Sequence, residues 1–160
     1  MLKKGQLAVR WLPVLAWMAL IFAASGDRSS FQHSSGLIAP LLRWLLPHLS
    51  DAAVHTGVMI GRKCAHVAEY AFLATLLWCA LRKPNPPATD SWDWSRAGLA
   101  VLLTALYAMT DEVHQAFVPS RQGSGWDVLL DTGGAALAVL AWWGMAHWRR
   151  KRAHRVARPR

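Results

Sequence analysis

Apolar residues fall along this chain in four long blocks. The first is LAVRWLPVLAWMALIFAAS, residues 7–25, and the others cover about 61–81, 97–118 and 126–148. Each is close to the roughly 20 residues a helix needs to cross hydrocarbon. The pattern predicts an all-α membrane protein, a four-transmembrane-helix bundle, with residues 1–148 as a single domain. Between the first two blocks, GLIAPLLRWLLPHLS has apolar residues at 37, 38, 41, 42, 45, 46 and 49. That is a helical stripe, too short to cross. It predicts an interfacial helix in the first outer loop, with Arg43 and His48 near headgroups. Ser50 or Asp51 is positioned to cap the next helix, which then begins ahead of the hydrocarbon. The proline-rich KPNPPATDSWDW reads as a connector. An alternative for the first block is a secretory signal, since Lys3, Lys4 and Arg10 precede an apolar core ending in small residues.

Composition supports the membrane reading. Hydrophobic residues make up 54% of the chain and charged residues 17%, against about 25% charge in soluble domains. Many of the ten tryptophans lie at block edges (Trp11, Trp92, Trp94, Trp126, Trp148), where an apolar ring with one N–H suits the headgroup level. The Trp142–Trp143 pair reads as another such anchor.

The net charge of +9 changes the picture only through its placement. Seven of the 18 basic residues lie in WRRKRAHRVARPR, directly after the last block. No nucleic-acid motif accompanies them, so residues 149–160 read as a basic cytoplasmic tail that meets anionic lipid. With the N-terminus inside, the inner segments hold Lys3, Lys4, Arg10, Arg82, Lys83, Arg96 and those seven, thirteen in all. The outer segments hold Arg28, Arg43, Arg62, Lys63 and Arg121, five in all. The positive-inside rule therefore puts both termini in the cytoplasm of a multi-pass inner-membrane protein. Cys64 and Cys79, about 22 Å apart on one helix, form no disulfide framework.

Ionisable residues inside these blocks are costly in hydrocarbon and need a reason. Lys63, His66, Glu69 and Tyr70 are spaced by three and four residues and share a helix face. Tyr107, Asp111, His114 and Gln115 share another. Asp127 and Asp131 are one turn apart, followed by Gly133 and Gly134, which permit close helix approach. In the predicted topology all of these lie at the outer end, so they predict one polar cluster. His66, Glu69, Asp111 and Glu112 are candidate catalytic groups. Lys63, Tyr70, Gln115, Arg121, Asp127 and Asp131 are candidate ligand-binding groups.

Plainer roles stand beside these. His66 and Glu69 suit a structural hydrogen bond. Asp111 and Glu112 point about 100° apart, so one of them is expected to pair with Lys63 or Arg121 and the other to lie nearer water. Arg121 suits a phosphate or carboxylate, or an ion pair with Asp127 that closes the PSRQGSGWD turn. There Pro119 stops the third helix and Gly123 and Gly125 allow the bend. His66, Glu69, Asp111 and His114 are conceivable metal ligands, but no HExxH-type spacing occurs. No metal or cofactor is expected.

KxxHxxEY, then DExxQxFxPxRxGxxxD, then a glycine pair resemble the VanZ-like membrane protein family. The matching residues are Lys63, His66, Glu69 and Tyr70; Asp111, Glu112, Gln115, Phe117, Pro119, Arg121 and Gly123; Asp127 and Gly134. The resemblance covers roughly residues 8–148. Asp131 departs from it, because the family usually has Asn there. The family is named for a protein that raises resistance to the glycopeptide teicoplanin, so the resemblance implies a cell-envelope role rather than a particular reaction. The expected partner is a membrane lipid or lipid-linked envelope precursor, bound in the outer cluster. The alternatives are an integral-membrane hydrolase or transferase using Glu69, His66 and Asp111, and a small proton-coupled transporter. For the transporter, four spans are few unless the chain forms a homo-oligomer.

Overall fold

The computed structural model describes residues 4–26, 30–82, 92–117 and 123–156. Five helices form: α1 (Lys4–Gly26), α2 (Ser30–Leu45), α3 (Asp51–Leu81), α4 (Trp94–Ala116) and α5 (Gly125–Val156). Among the described residues there is no strand. Arg121, Pro119, the end of the predicted third block at 118, most of the proline-rich connector and the last four residues of the basic tail lie outside the described residues.

Local chemistry sets several boundaries. Ser50 caps α3, its hydroxyl accepting from the Ala53 amide at 3.3 Å. Asp93 caps α4 in the same way, accepting from the Arg96 amide at 3.1 Å. These bonds satisfy amides that have no partner within the helix. Helix α2 ends two residues before Pro47, whose ring disfavours helical backbone in the residue ahead of it. It starts earlier than the apolar stripe alone suggests. The α3 helix begins about ten residues ahead of its apolar block, as the Ser50/Asp51 capping signal predicts.

Three helices contain stretches long and apolar enough to span a bilayer: Ala8–Ser25, Asp51–Leu81 and Gly125–Ala153. Helix α4 has 23 residues, but Asp111, Glu112, His114 and Gln115 crowd its last turns, so composition alone does not single it out. It packs against α1, α3 and α5. Helix α3 is the centre of the molecule and touches all four others.

The core is narrow. Val14, Ile21, Leu73, Leu77, Trp78 and Val139 are buried beside Ala74, Ala97, Ala100, Ala108 and Ala135. Small residues at the crossings let helices approach closely, which lipid-embedded helices depend on because solvent does not drive them together. Most large apolar side chains face outward instead, among them Leu12, Leu20, Phe22, Leu102, Leu129 and Leu137. An outer surface that is apolar on every helix suits hydrocarbon rather than water.

The bundle has two unlike ends. At one, Trp78 and Trp92 meet at 4.3 Å between ring centroids, Trp94 and Trp143 at 5.7 Å, and Arg82 lies over Trp78. At the other end α1 and α4 finish and α5 starts. There α3 continues past its neighbours and carries α2 on its first turns. Leu42 and Ile38 of α2 fit over Gly57 and Gly61, and Arg43 bridges to Asp51 at 2.7 Å.

Candidate functional site

The polar end is built in two layers. The lower one centres on Asp111, 2% exposed. Its Oδ2 accepts three hydrogen bonds, from the Ser25 hydroxyl at 2.8 Å, the Tyr70 hydroxyl at 2.9 Å and the Gln115 amide nitrogen at 3.0 Å. One carboxylate oxygen thus ties together α1, α3 and α4. Its other oxygen, Oδ1, is buried and has no partner among the described residues. The spacing that put Tyr70 on the face of Lys63 and His66 also aims it at α4. Tyr107, on the Asp111 face, turns to α1 instead, and its hydroxyl donates to the Met18 carbonyl at 2.5 Å.

The upper layer is a cleft lined by Lys63, His66, Glu112, Gln115, Asp127, Leu130 and Asp131, from α3, α4 and α5. Its volume is about 40 Å³, against roughly 10–15 Å³ for one water. Gln115 belongs to both layers. Lys63 Nζ donates to Asp127 Oδ1, and this pair is partly exposed. His66 Nδ1 lies 3.7 Å from Glu69 Oε2, too far for a hydrogen bond. The backbone carbonyl of Glu69 accepts from Trp17 Nε1 at 3.0 Å. Asp131 is 3% exposed.

Of the glycine pair, Gly134 is the one at the crossing. A Cβ there would stand 2.7 Å from both the Val67 carbonyl oxygen and its Cγ1, whereas one at Gly133 would meet nothing within 4 Å. This close passage of α5 over α3 brings Asp127 and Asp131 to the level of Lys63 and His66.

Of the two partners expected for the adjacent acids, Arg121 lies outside the described residues. Neither Asp111 nor Glu112 pairs with Lys63; Asp127 does, because α5 rather than α4 faces that side of α3. Asp111 points inward to hydroxyls and an amide. Glu112, turned about 100° from it, accepts the Ser124 amide at 2.7 Å and holds the start of α5 against the end of α4. A Cβ at Gly123 would stand 2.7 Å from the Glu112 carbonyl oxygen, so that turn needs glycine.

Two residues behave in ways the sequence did not signal. Ser25, read only as a small residue at the end of the first block, is buried and bonds across 86 residues to Asp111. His114 leaves the cluster and stacks on Phe22 of α1, 4.1 Å between ring centroids. Its Nδ1 is buried without a partner among the described residues. Among those residues no three His, Cys, Asp or Glu side chains are placed to hold a metal ion.

A bundle whose helices are apolar outward and gather ionisable side chains at one end is an α-helical membrane protein. Within that class, residues 10–147 match the model of the family described as VanZ/LLP1, and the protein belongs to that family. No curated protein and no solved structure matches the chain.

Proposed function

We propose that this VanZ-family protein binds a lipid or lipid-linked envelope headgroup at the outer face of the cytoplasmic membrane. Helices α1, α3, α4 and α5 are the four spans. Helix α2 lies at the outer interface, and both termini are cytoplasmic with the basic tail against anionic lipid. The observation that carries this reading is the cleft itself. Three helices place ionisable side chains around one small opening, beside a helix whose Leu37, Leu41, Trp44 and Leu45 are exposed. A headgroup entering from the interface would meet α2 first and the cleft next.

The lower layer favours binding over acid–base chemistry. Asp111 Oδ2 is already occupied by three donors, and Glu112 Oε2 holds a backbone amide. Groups fixed in this way shape a floor and a wall more readily than they shuttle protons. Sequestering a lipid-linked precursor also offers a route to glycopeptide resistance, which the inhibitory concentration of teicoplanin, with and without expression, measures directly.

Native mass spectrometry of the protein extracted in mild detergent tests the reading. The wild type should retain lipid-mass adducts. His66→Phe, which puts an apolar ring in the lining, should lose them at an unchanged thermal midpoint. A wild type that carries no adduct after incubation with total envelope lipid would sink the proposal.

A further inference from the structure

The cleft is richer in acceptors than in donors. Three carboxylates line it, from Glu112, Asp127 and Asp131, against Lys63, already engaged by Asp127, and His66, which lies beside Glu69. The Gln115 amide is oriented by Asp111. Its nitrogen donates downward to that carboxylate, which leaves one N–H and the carbonyl oxygen of a lining residue for other partners.

Asp131 is the independent feature. It lines the cleft and is 3% exposed, yet no hydrogen bond or ion pair engages it among the described residues. A buried carboxylate without a donor is costly in a low-dielectric site, and a ligand that supplies one recovers that cost.

We propose that the cleft receives a primary ammonium group, the end of an amine-bearing headgroup, against the Asp131 carboxylate. This rests on the headgroup-binding reading above and specifies its chemistry. An ammonium has three donors, no acceptor and one positive charge, which complements a lining of acceptors. It is close to a water molecule in size, so a volume of about 40 Å³ takes it with room to spare. An anionic group would face three carboxylates, with Lys63 already engaged by Asp127. A metal ion is a poorer fit, because among the described residues no three His, Cys, Asp or Glu side chains converge.

The test uses the full-length protein in detergent, with short-chain phosphatidylethanolamine and its N-acetylated form, which differs in lacking the ammonium. The wild type should bind the amine form roughly tenfold tighter or more, the scale of one charge-assisted hydrogen bond. Asp131→Asn should bring the two affinities together without lowering the thermal midpoint. Equal wild-type affinities for the two lipids would overturn the ammonium assignment while leaving a headgroup site in place. That comparison decides the matter even where the Asn variant fails to fold. No binding of either lipid, or of short-chain phosphatidylglycerol, would remove the headgroup reading and this inference with it. Glycerophosphoethanolamine binding as tightly as the lipid would support the ammonium site and assign it to a soluble amine.

Discussion

Asp111 and Asp127 are both carboxylates at the polar end of the bundle, yet the structure treats them differently. Asp111 is sealed among neutral donors from three helices. Asp127 sits about a third exposed and meets the Lys63 ammonium. The lower layer resembles a structural knot, in which each donor would be left unsatisfied in hydrocarbon without the carboxylate. The upper layer keeps the Lys63–Asp127 pair hydrated, so that pair exchanges partners at little cost. A motif that looks uniform in sequence thus divides into a floor that holds the helices and a mouth that meets the ligand.

The largest effect should come from breaking the floor. Asp111→Ala leaves the Ser25, Tyr70 and Gln115 donors without their acceptor, each unsatisfied group costing about 1–3 kcal/mol. The variant should lose about 3 kcal/mol or more, read as a collapse of the folded fraction in size-exclusion profiles and thermal melts. Asp111→Asn keeps the shape and one acceptor oxygen, and should fold with a smaller loss. Equal behaviour of the two would mean that the carboxylate's charge, not its three bonds, holds the knot.

Next comes the crossing that brings the two layers together. Gly134→Ala places a methyl against the Val67 carbonyl, which is backbone of a helix in contact with all four others and has little room to yield. Overpacking of this kind costs about 1–3 kcal/mol. Gly133→Ala meets nothing and should be neutral or stabilising by up to about 1 kcal/mol, the helix-propensity gain over glycine. The two melts should move in opposite directions. Tyr70→Phe, which deletes one of the three bonds to Asp111 and little volume, should follow at about 1–2 kcal/mol.

Much of this was legible before any coordinates. Spacings of three and four residues put Lys63, His66 and Tyr70 on one face of α3, and Asp127 with Asp131 on one face of α5, because helical periodicity is local. The glycine pair announced a close crossing for the same reason, although which of the two sits in it depends on how the helices rotate. Partners were less legible. The sequence offers Lys63 or Arg121 as partner to one of the adjacent acids, but α5 rather than α4 lies beside Lys63, and Asp127 takes it. Ser25 carried no signal at all, since a serine ending an apolar block has many roles and its bond spans 86 residues. His114 kept the spacing of its neighbours but lies at the α1 edge of that face, where Phe22 takes the ring. Helix faces follow from sequence, then, while the rotation and neighbour of each face are settled only by assembly.

The smallest effect on stability should come from the mouth. Lys63→Gln removes the cation of a pair whose side chains are 51% and 34% exposed, and exposed pairs contribute about 0–1 kcal/mol. The melt should therefore barely shift, while retention of a headgroup in native mass spectra changes, because Asp127 is released and the charge of the lining becomes more negative. An ammonium-bearing ligand should then be held at least as well as by the wild type, and a purely anionic one more weakly. A large loss of stability on Lys63→Gln would mean that the upper layer also holds the helices, and that the division between floor and mouth is wrong. No change in either readout would leave the floor intact and remove Lys63 from the mouth.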